Sequence, residues 1–485
     1  MIPILSGNVA SALPSGYDVD NSCRFNGADS AYFSKTPSSN GSQTISTFSA
    51  WIKKTVNGSY EGIFTSVYET GEYFEINFEP SDKLEIRSKY SGSYVLRKQT
   101  TRVFRDHSSW YHIVVVLDTT NGTAEDRCKV YINGVRETSF STNTNPGSSQ
   151  NLGLNATSYE HRVGRDEWST PAYFDGYMAE VHWIDGTAKA HTDFGEFDSN
   201  SPTIWKPKEY TDGGYGTNGF YLDFADSGNL GDDESGNTLD LAENNIAAED
   251  QATDTCTNNF CTLNPLDWSN TGTDIYSILS QGNCLYTSSG AGAGNNSGVG
   301  STIGASKGKW YFEAKTTNTT TGWLGMIYKP VGGNADSNGG IYGSGSAMMY
   351  GISTAGEKSI NGTGTSSVFT ALSANDIMSF AYDLDNGYFY FGVNGTYVTS
   401  GNPASGSSGT GAIGAITASH IAEFMRPGIN NGNYGASSVL QMNFGGCPSF
   451  SISSGNSDAN GYGNFEYAVP SGYYSINSKN LAEFG

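Results

Sequence analysis

The sequence predicts an all-β protein: two antiparallel β-sandwiches in tandem, joined by an irregular bridge. Three observations carry this reading. From Ile377 to Val398, IMSFAYDLDNGYFYFGVNGTYV sets an apolar strand, a turn at Asp385-Asn386-Gly387, an aromatic strand and a second turn at Asn394-Gly395. Asn-Gly supplies the positive φ angles of a type I′ turn, so each dipeptide between alternating apolar residues signals a hairpin. From Tyr111 to Glu137, YHIVVVLDTTNGTAEDRCKVYINGVRE repeats the order, ending on Asn133-Gly134. Finally, 485 residues exceed one hydrophobic core, and 62 glycines punctuate the chain into short strands.

Composition excludes several classes of protein. Charged residues are 15% and aromatics 13%, the reverse of a disordered chain. With 26 Lys plus Arg against 48 Asp plus Glu, the net charge of −22 repels phosphate backbones, which argues against nucleic acid as a partner. No apolar run is long enough to span a membrane, so no membrane insertion is expected. The start, MIPILSGNVASALPSGYD, has neither a basic region nor a long apolar core, so synthesis without a signal peptide is expected. Six cysteines, with only Cys256 and Cys261 close together, make no disulfide framework or zinc set and read as free thiols.

Residues 1–20 read as an extended attachment arm, because Pro3 and Pro14 block helix. The first sandwich is expected over 21–198. Its strand candidates are Ala31–Ser34, Phe48–Lys53, Gly62–Tyr68, Tyr73–Glu79, Lys83–Ser88, Tyr111–Leu117, Cys128–Ile132, His161–Val163 and Gly176–Ile184. Residues 199–264 read as the bridge. It contains one strand in GFYLDF, the acidic turn-rich tract DSGNLGDDESGN and a short helix candidate, AENNIAAED. The second sandwich is expected over 265–485, with Gly/Ser-rich loops at 288–302, 331–346 and 401–411. ALPSGYDVDNS near the start and AVPSGYYSINS near the end echo one another.

FNGADSAYFSK, FSAWIK, WYHIVVVLD, VYINGVRE and FDGYMAEVHWIDGTA follow in order across residues 23–188. This run resembles the LamG/pentraxin-like domains of the concanavalin A-like lectin/glucanase superfamily, which implies stacked jelly-roll sheets with a ligand site on loops at one rim. GKWYFEAK, GWLGMIY, YGIST, the long hairpin, RPGINNG with its proline turn and VLQMNFGG resemble a SPRY-type sandwich, generally a protein-binding module. The whole arrangement resembles bacteriophage tail or fibre proteins.

Candidate chemistry is sparse. In EINFE, Glu75, Asn77 and Glu79 share a strand face, at the spacing of the carboxylates in retaining glycosidases of the concanavalin A-like class. Asn77 stands where those enzymes carry an aspartate and cannot separate the two pKa values. A solvent-facing hairpin is therefore expected, and no catalytic residue. GTGAIG at 409–414 lacks a βαβ setting, and the six histidines form no metal or nucleophile motif. His112 and His182 fall in strand patterns and read as packed residues. Asp223, Asp226, Asp232, Asp233 and Glu234 lack the order of a calcium loop and read as Asx turns; calcium, if bound there, would rigidify the bridge. No other cofactor is expected.

For binding, the loop GRDEWSTPAYFDG offers Asp166, Glu167, Trp168 and Tyr173, acceptors beside aromatic faces as sugars require. In the second sandwich Tyr342 and Tyr350 flank a glycine-rich loop. The functional expectation is a non-enzymatic phage virion protein, a tail fibre or other appendage, presenting lectin-like domains to a host-surface glycan or protein. A purely structural virion component is the alternative, and a polysaccharide-degrading glycosidase the second. Other virion proteins would bind the N-terminal arm. Weak repeated sites gain by multivalency, so a homo-oligomer is expected, a trimer by resemblance to fibre proteins.

Overall fold

The structure, a computed structural model, describes residues 16–69, 71–166, 171–270, 277–288, 297–317, 322–331, 348–431 and 438–485. The chain divides into two compact units, Pro14–Thr257 and, in its described part, Asn258–Gly485.

In the N-terminal unit every strand pair is antiparallel. One sheet runs Val135–Arg136, Cys128–Ile132, Tyr111–Asp118, Ile45–Lys54, Gly176–Asp185, Ser22–Phe25 and Gln251–Ala252, and Phe220–Leu222 pairs with Gly176–Asp185. The other runs Phe140–Thr144, Ser93–Thr100, Leu84–Tyr90, Glu72–Phe78, Glu61–Glu69, Glu160–Val163, Tyr32–Lys35 and Ala242–Asn244. Alternation explains the core between them: Phe33, Phe64, Phe74, Ile76, Phe78 and Trp183 are all fully buried and in contact. Trp183 stacks on Phe64 at 4.4 Å, and its indole N–H donates to Asn155 Oδ1 at 2.9 Å. Burying each such ring contributes about 1.5–3 kcal/mol.

The segment expected as an irregular bridge instead supplies short strands to this unit. Phe220–Leu222 joins one sheet, Ala242–Asn244 pairs with Tyr32–Lys35, and Gln251–Ala252 pairs with Ser22–Phe25. The expected helix in AENNIAAED is a strand followed by one 3-10 turn, Ala248–Asp250. Strands of two or three residues carry no alternation to read; their partners lie some two hundred residues away in sequence. Of the arm, residues 1–15 lie outside the described residues. Val19 is fixed: its N–H donates to Thr257 Oγ1 at 3.1 Å, and that hydroxyl donates to Val19 O at 2.9 Å.

A third, two-stranded sheet of the N-terminal unit pairs Gly195–Phe197 with Trp205–Pro207. Among its described residues the C-terminal unit has two sheets. The first runs Leu263–Asn270, Ser297–Ser301, Arg426–Asn431, Gly322–Ile327, Met349–Ser353, Lys358–Ile360 and Thr363–Thr365. The second runs Ser277–Ser280, Leu285–Ser288, Ser438–Asn443, Lys309–Thr316, Ile377–Asp383, Tyr388–Val393 and Thr396–Tyr397. Phe312 stacks on Phe380 at 4.8 Å, and Tyr382 on Phe389 at 5.3 Å. The segment expected as a proline turn is a strand, Arg426–Asn431, with Pro427 opposite Met326. The ends of the unit meet as in the first: Cys261 N donates to Ile476 O at 2.9 Å, and Asn259 N to Ser478 Oγ at 2.9 Å.

Two expected turns form as read. Asn133 and Gly134 have φ of 48° and 75°, Asn394 and Gly395 of 47° and 79°. At Asn386-Gly387 only the glycine is left-handed, at 72°, because Asp383 organises the turn. Its carboxylate accepts the Asn386 N–H at 3.0 Å and its carbonyl the Gly387 N–H at 2.9 Å.

Candidate functional site

The polar face of the second N-terminal sheet is set by register. Phe74, Ile76 and Phe78 point into the core, so Tyr73, Glu75 and Asn77 share the opposite face. Cross-strand pairing then aligns Arg162, Thr65, Glu75, Arg87 and Arg97 across five strands. Arg87 pairs with Glu75 at 2.5 Å and lies 3.4 Å from Glu85, which pairs with Arg97 at 2.8 Å. The expected solvent-facing hairpin is not found: Glu75 and Asn77 are fully buried, because ion pairing compensates the carboxylate. The neighbouring carboxylates hold the Arg87 guanidinium above its ordinary range against the opposing effect of burial. Glu79 lies past the strand, accepting a hydrogen bond from Ser81. Glu75 is thus tied to Arg87 and Asn77, while Glu79 stands off its strand.

At one end of this face the chain builds an arginine packed beside two aromatic rings. Phe33 faces the core, so Tyr32 and Ser34 point to the polar side. Arg165 bridges antiparallel to Tyr173, and its carbonyl accepts from Thr65 Oγ1 at 2.8 Å. Its guanidinium lies 4.9 Å from the Tyr32 ring and 5.7 Å from that of Tyr173, with the two rings 6.0 Å apart. All three side chains are half-buried. Among the described residues the guanidinium has no carboxylate partner, and its buried Nε makes no hydrogen bond. A cation on two ring faces keeps its N–H edges available for a planar anion.

The predicted rim residues separate on this geometry. Tyr173 belongs to the arginine cluster. Asp166 is fully buried; its N–H donates to Ala172 O and its carboxylate accepts the Ala172 N–H at 2.7 Å, so it shapes the loop rather than presenting an acceptor. That loop lies against Gly62, where a Cβ would stand 2.1 Å from Asp166 N. Glu167 and Trp168 lie outside the described residues, as does Tyr342. Tyr350 is a core residue, because alternation along Met349–Ser353 turns it inward with Ile352. Its hydroxyl donates to Thr417 Oγ1 at 3.0 Å and lies 2.8 Å from His420 Nδ1.

Elsewhere the polar groups serve the fold. Asp233 accepts N–H bonds from Tyr221 and Ser235 on Oδ1 and from Leu239 on Oδ2; Asp223 and Asp226 close Asx turns. Among the described residues no three His, Cys, Asp or Glu are grouped to hold a metal. All six cysteines are free thiols. His112 stacks on Trp51 at 4.7 Å and accepts from Trp205 Nε1 at 2.9 Å; burial pushes its pKa down to about 3, as it does for His161. Glu61 lies 3.0 Å from Lys54, but neither makes a well-directed hydrogen bond, and burial pushes Glu61 up to about 8.

Sequence reading missed Arg165, Tyr32 and Arg87. Arg165 lies within the singled-out loop, yet its ring partner Tyr32 is remote in sequence, and a single strand does not reveal which charges pair across it.

Comparison with known proteins agrees with this geometry over part of the chain. Residues 25–192, about a third of the chain, match the Laminin_G_3 profile of the concanavalin A-like lectin/glucanases superfamily. No curated protein matches the chain. A Bacteroides ovatus protein aligns at 15% identity and TM-score 0.31, over 47% of this chain and 59% of its own length. The heptameric SAP-like pentraxin of Limulus polyphemus aligns at 15% identity and TM-score 0.28, over 36% of this chain and 81% of its own. The SPRY domain of human HERC1 aligns at 12% and 0.26, over 39% and 99% respectively. Alignments at these scores add no functional argument. Over residues 25–192, then, the chain carries a Laminin_G_3-like sandwich of the concanavalin A-like type.

Proposed function

We propose that this chain is a non-enzymatic adhesion protein of a bacteriophage virion, a tail fibre or other appendage, and that its N-terminal unit grips an acidic glycan of the host surface. The phage setting rests on the domain order and joints of the sequence. The glycan reading rests on one observation: Arg165 lies beside Tyr32 and Tyr173 with no carboxylate partner among the described residues, in a chain of net charge −22. A carboxylate on the sugar would take the guanidinium edge while C–H faces lie on the rings. In this reading no bond is broken, and Glu75 serves the sheet through Arg87. The arm would attach the chain to other virion proteins, and oligomerisation would multiply a weak contact.

A purely structural role is the second reading, favoured by the exposed Ile278 and Leu266 on the C-terminal unit, which would dock on neighbouring virion proteins. An array of acidic and neutral glycans separates the two readings. The adhesin predicts binding to carboxylate-bearing glycans that falls at least tenfold in Arg165→Ala. A blank array would sink it, as would undiminished adsorption of particles coated with antibody against this chain. Reducing-sugar release abolished by Glu75→Gln would overturn the non-enzymatic reading.

A further inference from the structure

In the N-terminal unit a lysine is enclosed where the chain leaves its sheet. Phe48, Ala50 and Ile52 point into the core from the strand Ile45–Lys54, so Trp51 and Lys53 point to the opposite face. Beyond the strand Gln251–Ala252, Asp254 meets Lys53 on that face. Lys53 is 0% exposed and Asp254 1%, and Nζ donates to Oδ2 at 2.7 Å. The indole N–H of Trp110 donates to the other carboxylate oxygen, Oδ1, at 3.2 Å. The Tyr177 ring lies 5.7 Å from Nζ and 6.4 Å from the Trp110 ring, so the pair sits among aromatic side chains. Ser22 Oγ donates to the Asp254 carbonyl at 2.7 Å and holds its backbone in place.

Taking two opposite charges fully out of water carries a desolvation cost that their attraction offsets only in part. A lysine and a carboxyl group have a way to shed both charges that an arginine lacks, which is condensation to an amide. Dilute amines and acids do not condense in water. A well-oriented intramolecular pair reacts as though its partner were present at about 10^5–10^8 M, and an enclosed site lets the water formed depart. Lys53 and Asp254 have this orientation, and Asp254 has a donor on the oxygen where negative charge would gather. Lys54 and Glu61 provide the contrast inside the same unit. They lie 3.0 Å apart and are as deeply buried, but among the described residues Glu61 receives no well-directed hydrogen bond that would polarise it.

We propose that Lys53 and Asp254 become joined by an isopeptide bond that the folded chain makes itself. The ammonium passes one proton along its hydrogen bond to Oδ2. The freed lone pair of Nζ attacks Cγ, and the Trp110 N–H stabilises the charge that collects on Oδ1. When the tetrahedral adduct collapses, a second proton moves from Nζ to Oδ2, the Cγ–Oδ2 bond breaks and that oxygen leaves as water. One C–N bond forms, one C–O bond breaks, and nothing is oxidised or reduced. The link closes a loop between residues 201 apart in sequence and ties the exit of the unit to its own sheet, a covalent stop that unfolding cannot undo. It is independent of the glycan reading at Arg165.

The test is mass spectrometry of the full chain. The intact mass should fall short of the sequence value by one water molecule, and a tryptic map should locate the loss in a branched peptide joining Lys53 to Asp254, with Lys54 and Glu61 unlinked. This measurement needs no variant to fold. Lys53→Arg keeps the charge but brings no nucleophilic amine, and should restore the full sequence mass. Trp110→Phe keeps an aromatic ring and removes the donor; its linked fraction, followed in time after cell-free synthesis, should grow at least tenfold more slowly. The proposal is overturned by any of four results: the full sequence mass in the unaltered chain, a water loss that maps to any other site, a loss that persists in Lys53→Arg, or linkage in Trp110→Phe at the unaltered rate.

Discussion

The outer faces of two sheets, one in each unit, make opposite use of the same architecture. In the N-terminal unit the face is crowded with charge, and Glu75, Arg87, Glu85 and Arg97 neutralise one another across adjacent strands. In the C-terminal unit the corresponding rows carry Gly300, Gly428, Gly325 and Gly351 in register under the side chains of Asp267, Arg426 and Ile327, and among the described residues the buried Asn430 amide has no hydrogen-bond partner. The first face is knit by its own ion pairs, although Asn77 Oδ1 on it has no hydrogen-bond partner among the described residues. The second dispenses with side chains along one row, so that the strands and the neighbouring Asp267, Arg426 and Ile327 close over the backbone.

The comparison is broken most directly at Arg87. Arg87→Ala leaves Glu75 and Glu85 buried without their shared cation, which should cost the N-terminal unit about 3–5 kcal/mol. Chemical denaturation should show one transition shifted by this amount and the transition of the C-terminal unit unmoved. A loss under about 1 kcal/mol would mean that the charged row is solvated and the contrast is void.

Acidity should sharpen the contrast next. His112 and His161 have folded pKa values near 3, below the unfolded value of 6.5, so the unfolded state binds more protons between them. Their contribution to the stability of the N-terminal unit is therefore fully present above about pH 6.5 and is lost as pH falls toward 3. Glu61 acts in the reverse sense. Raised from 4.5 to about 8, it contributes stability at low pH that disappears as pH rises through that window. Melting temperature against pH should fall on both sides for this unit, with the acid limb shallower in His161→Gln and the alkaline limb shallower in Glu61→Gln. Unchanged slopes would show that these groups titrate alike in both states.

The smallest effect tests a feature the units share. In the two PSGY echoes Gly16 and Gly472 have φ of 75° and 79°, and a Cβ on either would touch nothing within 4 Å. Only left-handed backbone strain is at stake, so Gly16→Ala and Gly472→Ala should each cost about 1–2 kcal/mol, equally in the two units. Unequal costs would mean that the two turns carry different loads.

These turns also show what the sequence discloses. Asn-Gly dipeptides and alternating runs placed the long strands to within a few residues, because turn chemistry and side-chain period are local. Phe220–Leu222, Ala242–Asn244 and Gln251–Ala252 escaped, since strands that short are defined only by remote partners. The arginine cluster was only partly legible. GRDEWSTPAYFDG contains both Arg165 and Tyr173, but Asp166 turned inward and Arg165 was passed over. Tyr350 looked like a loop aromatic, and strand alternation carries it into the core. Asn430 could not be singled out, because an unsatisfied amide is a property of what surrounds it.

The joint between Val19 and Thr257 bears on mechanics. Because chain entry and chain exit of the N-terminal unit are fastened side by side, tension along the polypeptide is borne by that short clasp. The strands beyond it then lie to the side of the line of force. Stretching a single molecule by its ends should thus open the clasp first, at low force, with both layers of strands still intact.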